Sequence, residues 1–103
     1  MTTEATLNNI EFNEDGYMVD PQAWSPEIAG LIAESLSIPL TDRHWIVINF
    51  ARAEFAANDE APTIRRITKQ TDVNTKELYA LFPKGAAKTV AKISGLGKPT
   101  GCI

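Results

Sequence analysis

Apolar residues recur at helical spacing through most of this chain of 103 residues. In the first such stretch they stand at i, i+3, i+4 and i+8, which is the spacing of one helix face. The four residues are Ile28, Leu31, Ile32 and Leu36. Ser25 followed by Pro26 is typical of a helix N-terminus, and Pro39 bars extension of the helix. The pattern predicts a helix that Ser25 opens and that ends before Pro39.

The next helix is predicted to be the longest, over about Asp42–Asn58, with Thr41 as its N-cap. Its apolar residues cover more than one stripe of the helix surface. They are Trp45, Ile46, Ile48, Phe50, Ala51, Phe55 and Ala56. A helix that is apolar on several sides is typical of a central, buried position. We expect His44 to cap or pack the start of this helix, and Trp24 and Trp45 to be core aromatic residues.

Three shorter helices are predicted in the second half of the chain. Thr63 caps a basic helix that begins at Ile64, Thr75 caps one over Lys76–Phe82, and a last helix covers Ala86–Ser94. Segment 63–82 therefore has the outline of a helix-turn-helix. It fits either a DNA-binding regulator or an αα-hairpin used only for packing. Packing is favoured, because the second helix exposes few base-reading side chains and the whole chain is acidic.

The N-terminal segment from Leu7 to Asp20 has the pattern of a β-hairpin. Asn13–Gly16 supplies the turn, and apolar residues on both sides supply two strands. Pro21–Trp24 predicts a short turn of helix. Because two strands alone are marginally stable, the hairpin must pack on helices. The expected fold class is mainly α: a small helical bundle with an N-terminal β-hairpin, a helix-turn-helix-like segment and a flexible C-terminal arm.

The last nine residues, 95–103, contain three glycines and one proline. This composition cannot continue a helix and offers little to pack. Residues 1–94 are therefore expected to form a single domain, and residues 95–103 a mobile arm that spans about 30 Å when fully extended. The arm carries Cys102, the only cysteine of the chain. We expect its sulfur to be able to leave the domain surface and enter a partner's cleft.

Cys102 is the candidate catalytic residue. An unperturbed thiol has a pKa of about 8.5, so only about 3% is thiolate at pH 7, and no histidine lies near Cys102 in sequence. The chemistry that fits is sulfur exchange inside a partner's site, where the partner supplies the activation. An accidental surface thiol is the alternative. One cysteine and one distant histidine do not make a metal site, and no cofactor is predicted.

Charge is distributed unevenly along the chain, whose net charge is −3. Residues 1–60 carry 11 acidic and 2 basic residues, whereas residues 61–103 carry 2 acidic and 8 basic ones. The basic half contains the arm, which favours a surface that steers acidic partners or RNA toward it. Two solvated faces without such a role are the alternative. The candidate docking residues are Arg65, Arg66, Lys84, Lys88, Lys92 and Lys98.

Three further features bear on the compartment. No run approaches the roughly 18 apolar residues of a membrane span, and the N-terminus lacks the basic and apolar regions of a signal peptide. A single cysteine also excludes an internal disulfide. Together these features favour the cytoplasm, where thiols stay reduced.

Two runs near the C-terminus form a specific motif, Leu78–Lys88 and Ala91–Ile103, the second ending Gly-Leu-Gly-Lys-Pro-Thr-Gly-Cys-Ile. Weaker matches lie upstream, at Asp15-Gly16-Tyr17, Trp24-Ser25, His44-Trp45 and Pro62-Thr63-Ile64-Arg65. These residues resemble the DsrC/TusE family over nearly the whole chain. That family includes the gamma subunit of dissimilatory sulfite reductase and a sulfur relay protein.

The resemblance implies that Cys102 matches the family's penultimate cysteine, which carries sulfur as a persulfide. DsrC members also have a second arm cysteine about ten residues upstream, and the matching residue here is Ala91. This departure speaks against a two-cysteine redox cycle and leaves a sulfurtransferase-type carrier role. The implied partners are a sulfur donor and a sulfur acceptor, either a tRNA-thiolating enzyme that forms 2-thiouridine or sulfite reductase. The Lys-Pro-Thr-Gly-Cys ending is more similar to DsrC than to many TusE sequences. The resemblance therefore leaves the assignment to the DsrC or the TusE subfamily open.

Overall fold

Five α-helices make up most of the chain in the computed structural model, which describes residues 10–83 and 85–97. In chain order they are α1 (Pro26–Ser35), α2 (Asp42–Asn58), α3 (Ile64–Gln70), α4 (Thr75–Leu81) and α5 (Ala86–Ile93). A 3-10 turn over Pro21–Ala23 precedes them. The prediction of a mainly helical bundle is confirmed, and so is the short turn before α1.

The central helix of the bundle is α5, which contacts α1, α2 and α4. Most of its residues are buried, and several are small. The buried ones are Ala86, Ala87, Thr89, Val90, Ala91 and Ile93. Alanines at a contact face let the neighbouring helix axes approach closely, because little side-chain volume separates them. The helix that precedes the cysteine-bearing end of the chain is therefore the described helix with the largest share of buried residues.

The expectation that α2 is buried on several sides is wrong. Its buried residues His44, Val47, Ile48 and Ala51 occupy one face, at the i, i+3, i+4 and i+7 spacing of an ordinary amphipathic helix. On the opposite face Ile46 is 38% exposed. Of the other apolar residues that suggested full burial, Trp45, Phe50 and Phe55 are half-buried and Ala56 is exposed, because no element within residues 10–83 and 85–97 packs over the outer face of α2.

Side-chain caps fix the helix starts close to where the sequence predicts them. The Ser25 hydroxyl accepts a hydrogen bond from the Ile28 amide at 3.3 Å, and the Thr63 hydroxyl accepts one from the Arg66 amide at 3.2 Å. For α4 the predicted cap is one residue too late. The cap is Asn74, whose side-chain oxygen accepts from the Glu77 amide, because asparagine is at least as good an N-cap as threonine.

His44 has the capping role predicted for it. The Thr41 amide donates to His44 Nδ1 at 3.1 Å, and His44 Nε2 lies 2.9 Å from the Leu81 carbonyl oxygen. A carbonyl can only accept, so Nε2 carries the proton and donates it. One side chain thus closes the start of α2 and joins it to the end of α4.

The predicted N-terminal β-hairpin is not formed as paired strands within the described residues, although Leu7–Asn9 lie outside them. A single antiparallel bridge joins Phe12 to Met18, and the Val19 amide donates to the Glu11 carbonyl at 3.0 Å. The chain does reverse here and buries Tyr17 and Met18 at 2% exposure. The reversal is a packed turn because the 3-10 segment begins two residues after Val19 and ends the pairing.

Candidate functional site

Three of the predicted site residues, Cys102, Lys84 and Lys98, lie outside the described part of the chain. The structure does describe the residues that directly precede the cysteine-bearing segment, and we call them the exit. This exit is formed by the end of α5 and the residues that follow it, Ser94–Gly97.

The chain leaves α5 through a Schellman turn. The Leu96 amide donates to the Ala91 carbonyl at 2.9 Å and the Gly95 amide donates to the Lys92 carbonyl at 3.2 Å, which is the 6→1 and 5→2 pattern of that motif. Gly95 has a φ of +72°, a conformation that L side chains adopt at a cost. Leu96 is fully buried. The packed part of the chain therefore extends two residues beyond the domain boundary expected at residue 94.

Two side chains from distant parts of the sequence hold the end of α5, and we call Trp24 and Arg52 together the exit clamp. The Trp24 indole N–H donates to the Ile93 carbonyl at 2.7 Å. Arg52 Nη1 donates to the Ser94 carbonyl at 2.9 Å and to the Pro21 carbonyl at 3.2 Å. The guanidinium carbon lies 4.2 Å from the centre of a Trp24 ring, within cation–π range.

The clamp leaves no space for a side chain at residue 95. A Cβ built on Gly95 would overlap the side chain of Trp24. Burial lowers the pKa of Arg52 from its usual value, because water no longer solvates the charged form fully. Two carbonyl oxygens compensate the guanidinium charge, and one of them, of Ser94, lies at the C-terminal end of α5, where the helix dipole favours a cation.

Sequence reasoning did not select Arg52 as a functional residue. The available signal was its setting, because Arg52 is one of only two basic residues among the first 60 and stands in the apolar middle of a long helix. Trp24, predicted as a core aromatic, is half-buried and also donates a hydrogen bond.

The predicted docking residues on the described part of the chain lie on two helices, α3 and α5. Arg65 and Lys88 are exposed. Arg66 is also exposed, and it ion-pairs with Glu54 of α2 at 2.8 Å, which lowers the pKa of the Glu54 carboxyl. Lys92 is partly covered: its ammonium lies 5.4 Å from the centre of the Tyr17 ring. Two of these four residues, Arg66 and Lys92, thus have a partner within the domain, and the other two are exposed.

A small surface cavity lies next to Lys92. Its volume is about 130 Å³, below the roughly 300 Å³ at which small-molecule sites begin. The lining residues are Leu36, Ile38, Pro83, Thr89 and Lys92. The cavity is thus a shallow apolar depression with one cation at its edge.

Two searches of the described residues bear on other functions. Over residues 10–83 and 85–97, no three histidine, cysteine, aspartate or glutamate side chains converge as metal ligands would. In the same part of the chain, none of the helices combines the length and the apolar character needed to cross a membrane.

Comparisons of the sequence and of the structure with known proteins both find DsrC and TusE proteins. A family model described as DsrC like protein matches residues 4–103. "Sulfurtransferase TusE" of Pectobacterium atrosepticum is 40% identical over 101 residues, covering 91% of this chain and 93% of that protein.

Among solved structures, DsrC of Allochromatium vinosum superposes with a TM-score of 0.81 at 37% identity, covering 91% of this chain and 90% of that one. The oxidized gamma subunit of the dissimilatory sulfite reductase (DsrC) of Archaeoglobus fulgidus does so with a TM-score of 0.82 at 35% identity, covering 91% and 92%. With the family model matching nearly its full length, this chain belongs to the DsrC-like protein family.

Proposed function

We propose that this protein is a sulfur carrier in which Cys102 accepts sulfane sulfur from one protein and passes it to another. The observation that carries the proposal is the presence of a single cysteine, six residues beyond the buried Leu96, in a chain 40% identical to a sulfurtransferase. Carrying sulfur needs one accessible thiol on a short tether and a domain that partners can bind.

The transfer is a thiol–persulfide exchange that balances without an added oxidant or reductant. The donor holds its sulfur as a persulfide, R–S–SH. The Cys102 thiolate attacks the outer sulfur, a new S–S bond forms, the donor's S–S bond breaks, and the donor thiolate leaves and takes up the proton that Cys102 released. The products are R–SH and Cys102–S–SH, and a thiol of the acceptor repeats the exchange.

Ala91 supports a one-thiol carrier over a two-cysteine redox protein. The family resemblance assigns the second DsrC cysteine to this position, and the alanine found here is fully buried on α5. Its carbonyl also accepts the Leu96 hydrogen bond that closes the exit turn. Because the chain has no second thiol, Cys102 has no intramolecular partner for a disulfide, and its persulfide can be released only to another molecule.

The acceptor that fits best is a tRNA-thiolating enzyme, with 2-thiouridine as the end product, in the cytoplasm where thiols stay reduced. The TusE relative supports this assignment over a sulfite reductase partner. The basic side chains of the second half of the chain would dock an acidic protein surface or lie close to the tRNA. They are the exposed Arg65 and Lys88, together with Arg66, Lys84, Lys92 and Lys98. Copurification with a siroheme-containing complex in place of sulfur transfer would favour the sulfite reductase alternative.

The helix-turn-helix outline gives weaker support to a DNA-binding role. In a DNA-binding role the first turn of α4 would approach the phosphates of the DNA. That turn carries Glu77, and the turn before α4 carries Asp72. Arg43 of α2 forms an ion pair with each of them. Carboxylates at this position repel a phosphate backbone. The segment is therefore better suited to packing against α2 than to binding DNA.

Mass spectrometry tests the carrier function directly. The protein is incubated with a cysteine desulfurase and its sulfur-relay partners, and we expect a gain of about 32 Da per sulfur on the C-terminal peptide. Cys102→Ser should fold normally and gain nothing, whereas the control Thr100→Ser should gain sulfur as the wild type does. Sulfur on the Cys102→Ser protein, or none on the wild type, would refute the proposal.

A further inference from the structure

We infer that Arg52 and Trp24 are positioning residues for sulfur transfer: the exit clamp fixes the root of the cysteine-bearing segment at Leu96 and so sets the reach of Cys102. The inference rests on the proposed carrier function. It concerns residues that never touch the sulfur and that act through the geometry of the exit.

The first argument is the way the last carbonyls of α5 are bound. A helix leaves its final C=O groups without partners inside the helix, and water or a local turn usually satisfies them. Here two successive carbonyls, of Ile93 and Ser94, accept from side chains 69 and 42 residues away in sequence. The root of the segment is thereby tied to the turn before α1 and to the middle of α2.

The second argument is the chemistry of Arg52. The hydrogen-bond partners recorded for its guanidinium are two carbonyl oxygens, of Ser94 and Pro21. Covering a charged group with protein costs free energy unless the group is well hydrogen-bonded. A guanidinium placed over an indole and aimed at two backbone carbonyls fixes distances and directions, which neither an exposed surface pair nor an apolar side chain would do.

The third argument is the effect on tether length. From Leu96 to Cys102 there are six residues, which reach about 20 Å when extended. A segment released from the clamp would extend from Ile93, the last residue of α5, and its nine residues up to Cys102 would reach about 30 Å. Because the effective concentration of a tethered group falls roughly as the −3/2 power of tether length, lengthening the tether from six to nine residues alone lowers it about twofold. Loss of the fixed exit direction adds to this decrease.

Arg52→Gln is the primary test, and Trp24→Phe is the second variant because it removes the indole N–H while keeping an aromatic ring. Arg43→Gln is the matched control, since Arg43 is the other arginine of α2 and binds side-chain carboxylates far from the exit along the helix. Each protein is compared with wild type in hydrogen exchange of the Leu96 amide, alkylation of Cys102 by iodoacetamide, and the rate of sulfur uptake from a persulfide-loaded donor protein.

For Arg52→Gln we expect exchange at Leu96 to accelerate tenfold or more, the factor that corresponds to losing one hydrogen bond to a charged group. Exchange at the Val47 amide in the body of α2 should change much less. Sulfur uptake from the protein donor should slow by about twofold or more, while iodoacetamide alkylation stays unchanged because it needs no docking. Trp24→Phe should act in the same direction, and Arg43→Gln should alter neither Leu96 exchange nor uptake.

Unchanged sulfur uptake in both clamp variants would overturn the inference, as would a parallel fall in alkylation and uptake, which would indicate a general effect on the thiol. A wild-type protein that gains no sulfur would instead refute the carrier function. If Arg52→Gln fails to fold, Trp24→Phe decides the question by the same measurements.

Discussion

The two arginines of α2 hold opposite parts of the molecule by different chemistry. Arg43, near the start of the helix, binds the Glu77 carboxylate at 2.7 Å and the Asp72 carboxylate at 3.1 Å. Arg52, further along the same helix, binds only backbone carbonyls in its recorded hydrogen bonds. The first joins the helix-turn-helix segment to α2, and the second joins the exit of α5 to α2.

This difference shows which part of the domain depends on charge and which on shape. The pKa of the Glu77 carboxyl is lowered by Arg43, and salt screens both ion pairs. The contact between α2 and the helix-turn-helix segment should therefore depend on pH and salt. The carbonyls around Arg52 do not titrate, and the exit is held by a close fit between Gly95 and Trp24. Such an attachment keeps the root of the cysteine-bearing segment constant while the exposed surface changes its charge state.

The largest expected effect comes from breaking the fit at the exit. Gly95→Ala should lower the free energy of unfolding by about 3 kcal/mol, because alanine must adopt a left-handed backbone and its Cβ overlaps Trp24. Urea denaturation measures this change. The variant should also lose protection of the Leu96 amide from hydrogen exchange.

Gly30→Ala is the matched control for that prediction. Gly30 lies in α1, and a Cβ there would meet nothing within 4 Å. Alanine in an open helical position should raise the free energy of unfolding by up to about 1 kcal/mol. Equal effects of the two substitutions would contradict the close fit that we describe at the exit.

The next largest effect is a difference between the Arg43 and Arg52 sites in how their contribution to stability depends on pH. Hydrogen bonding to Arg43 lowers the pKa of the Glu77 carboxyl. A lowered folded-state pKa contributes stability above the unfolded value of about 4.3, and this stability is lost as the pH falls through the folded-state pKa. Wild type should therefore lose stability below about pH 4.3, and Glu77→Gln should show a weaker decrease over the same range.

Arg52→Gln provides the comparison for that experiment, because its carbonyl partners do not titrate. Its stability should be lower than wild type by a similar amount at pH 7 and at pH 4. Thermal melting at both pH values measures the difference, and repeating it in high salt should reduce the Glu77 effect alone. A difference in stability between Arg52→Gln and wild type that changes clearly from pH 7 to pH 4 would contradict this division.

The parts of this fold that were predictable from sequence depend on neighbours in the chain. The caps at Ser25 and Thr63 involve residues three positions apart, and the bounds of α2 are set by Thr41 and the segment that begins at Asn58. Local hydrogen bonding and helical periodicity decide such features, so the sequence pattern is enough to predict them.

The features that were missed depend on contacts between distant residues. Trp24, Arg52 and Gly95 meet only in the folded chain, and no spacing between them signals the clamp. The arm was expected to begin at residue 95 because its glycines and proline cannot continue a helix and offer little to pack, whereas Gly95 forms a tight turn that is followed by the buried Leu96. Likewise α2 was expected to be central because its apolar residues cover more than one stripe, whereas most of the residues of α5 are buried and only one face of α2 is.

The smallest expected effect concerns the only buried side-chain polar atom recorded without a hydrogen-bond partner in the described ranges, the hydroxyl oxygen of Ser94. Removing an unpaired buried polar group while its surroundings stay apolar relieves a desolvation cost. Ser94→Ala should therefore leave the free energy of unfolding unchanged or raise it by up to about 1 kcal/mol, in contrast to Gly95→Ala one residue later. The Ser94 carbonyl, which Arg52 binds, is kept, so Leu96 exchange and sulfur uptake should match wild type. A clear destabilisation in urea would show that this hydroxyl is bonded in solution and that the exit contains a polar contact in addition to the clamp.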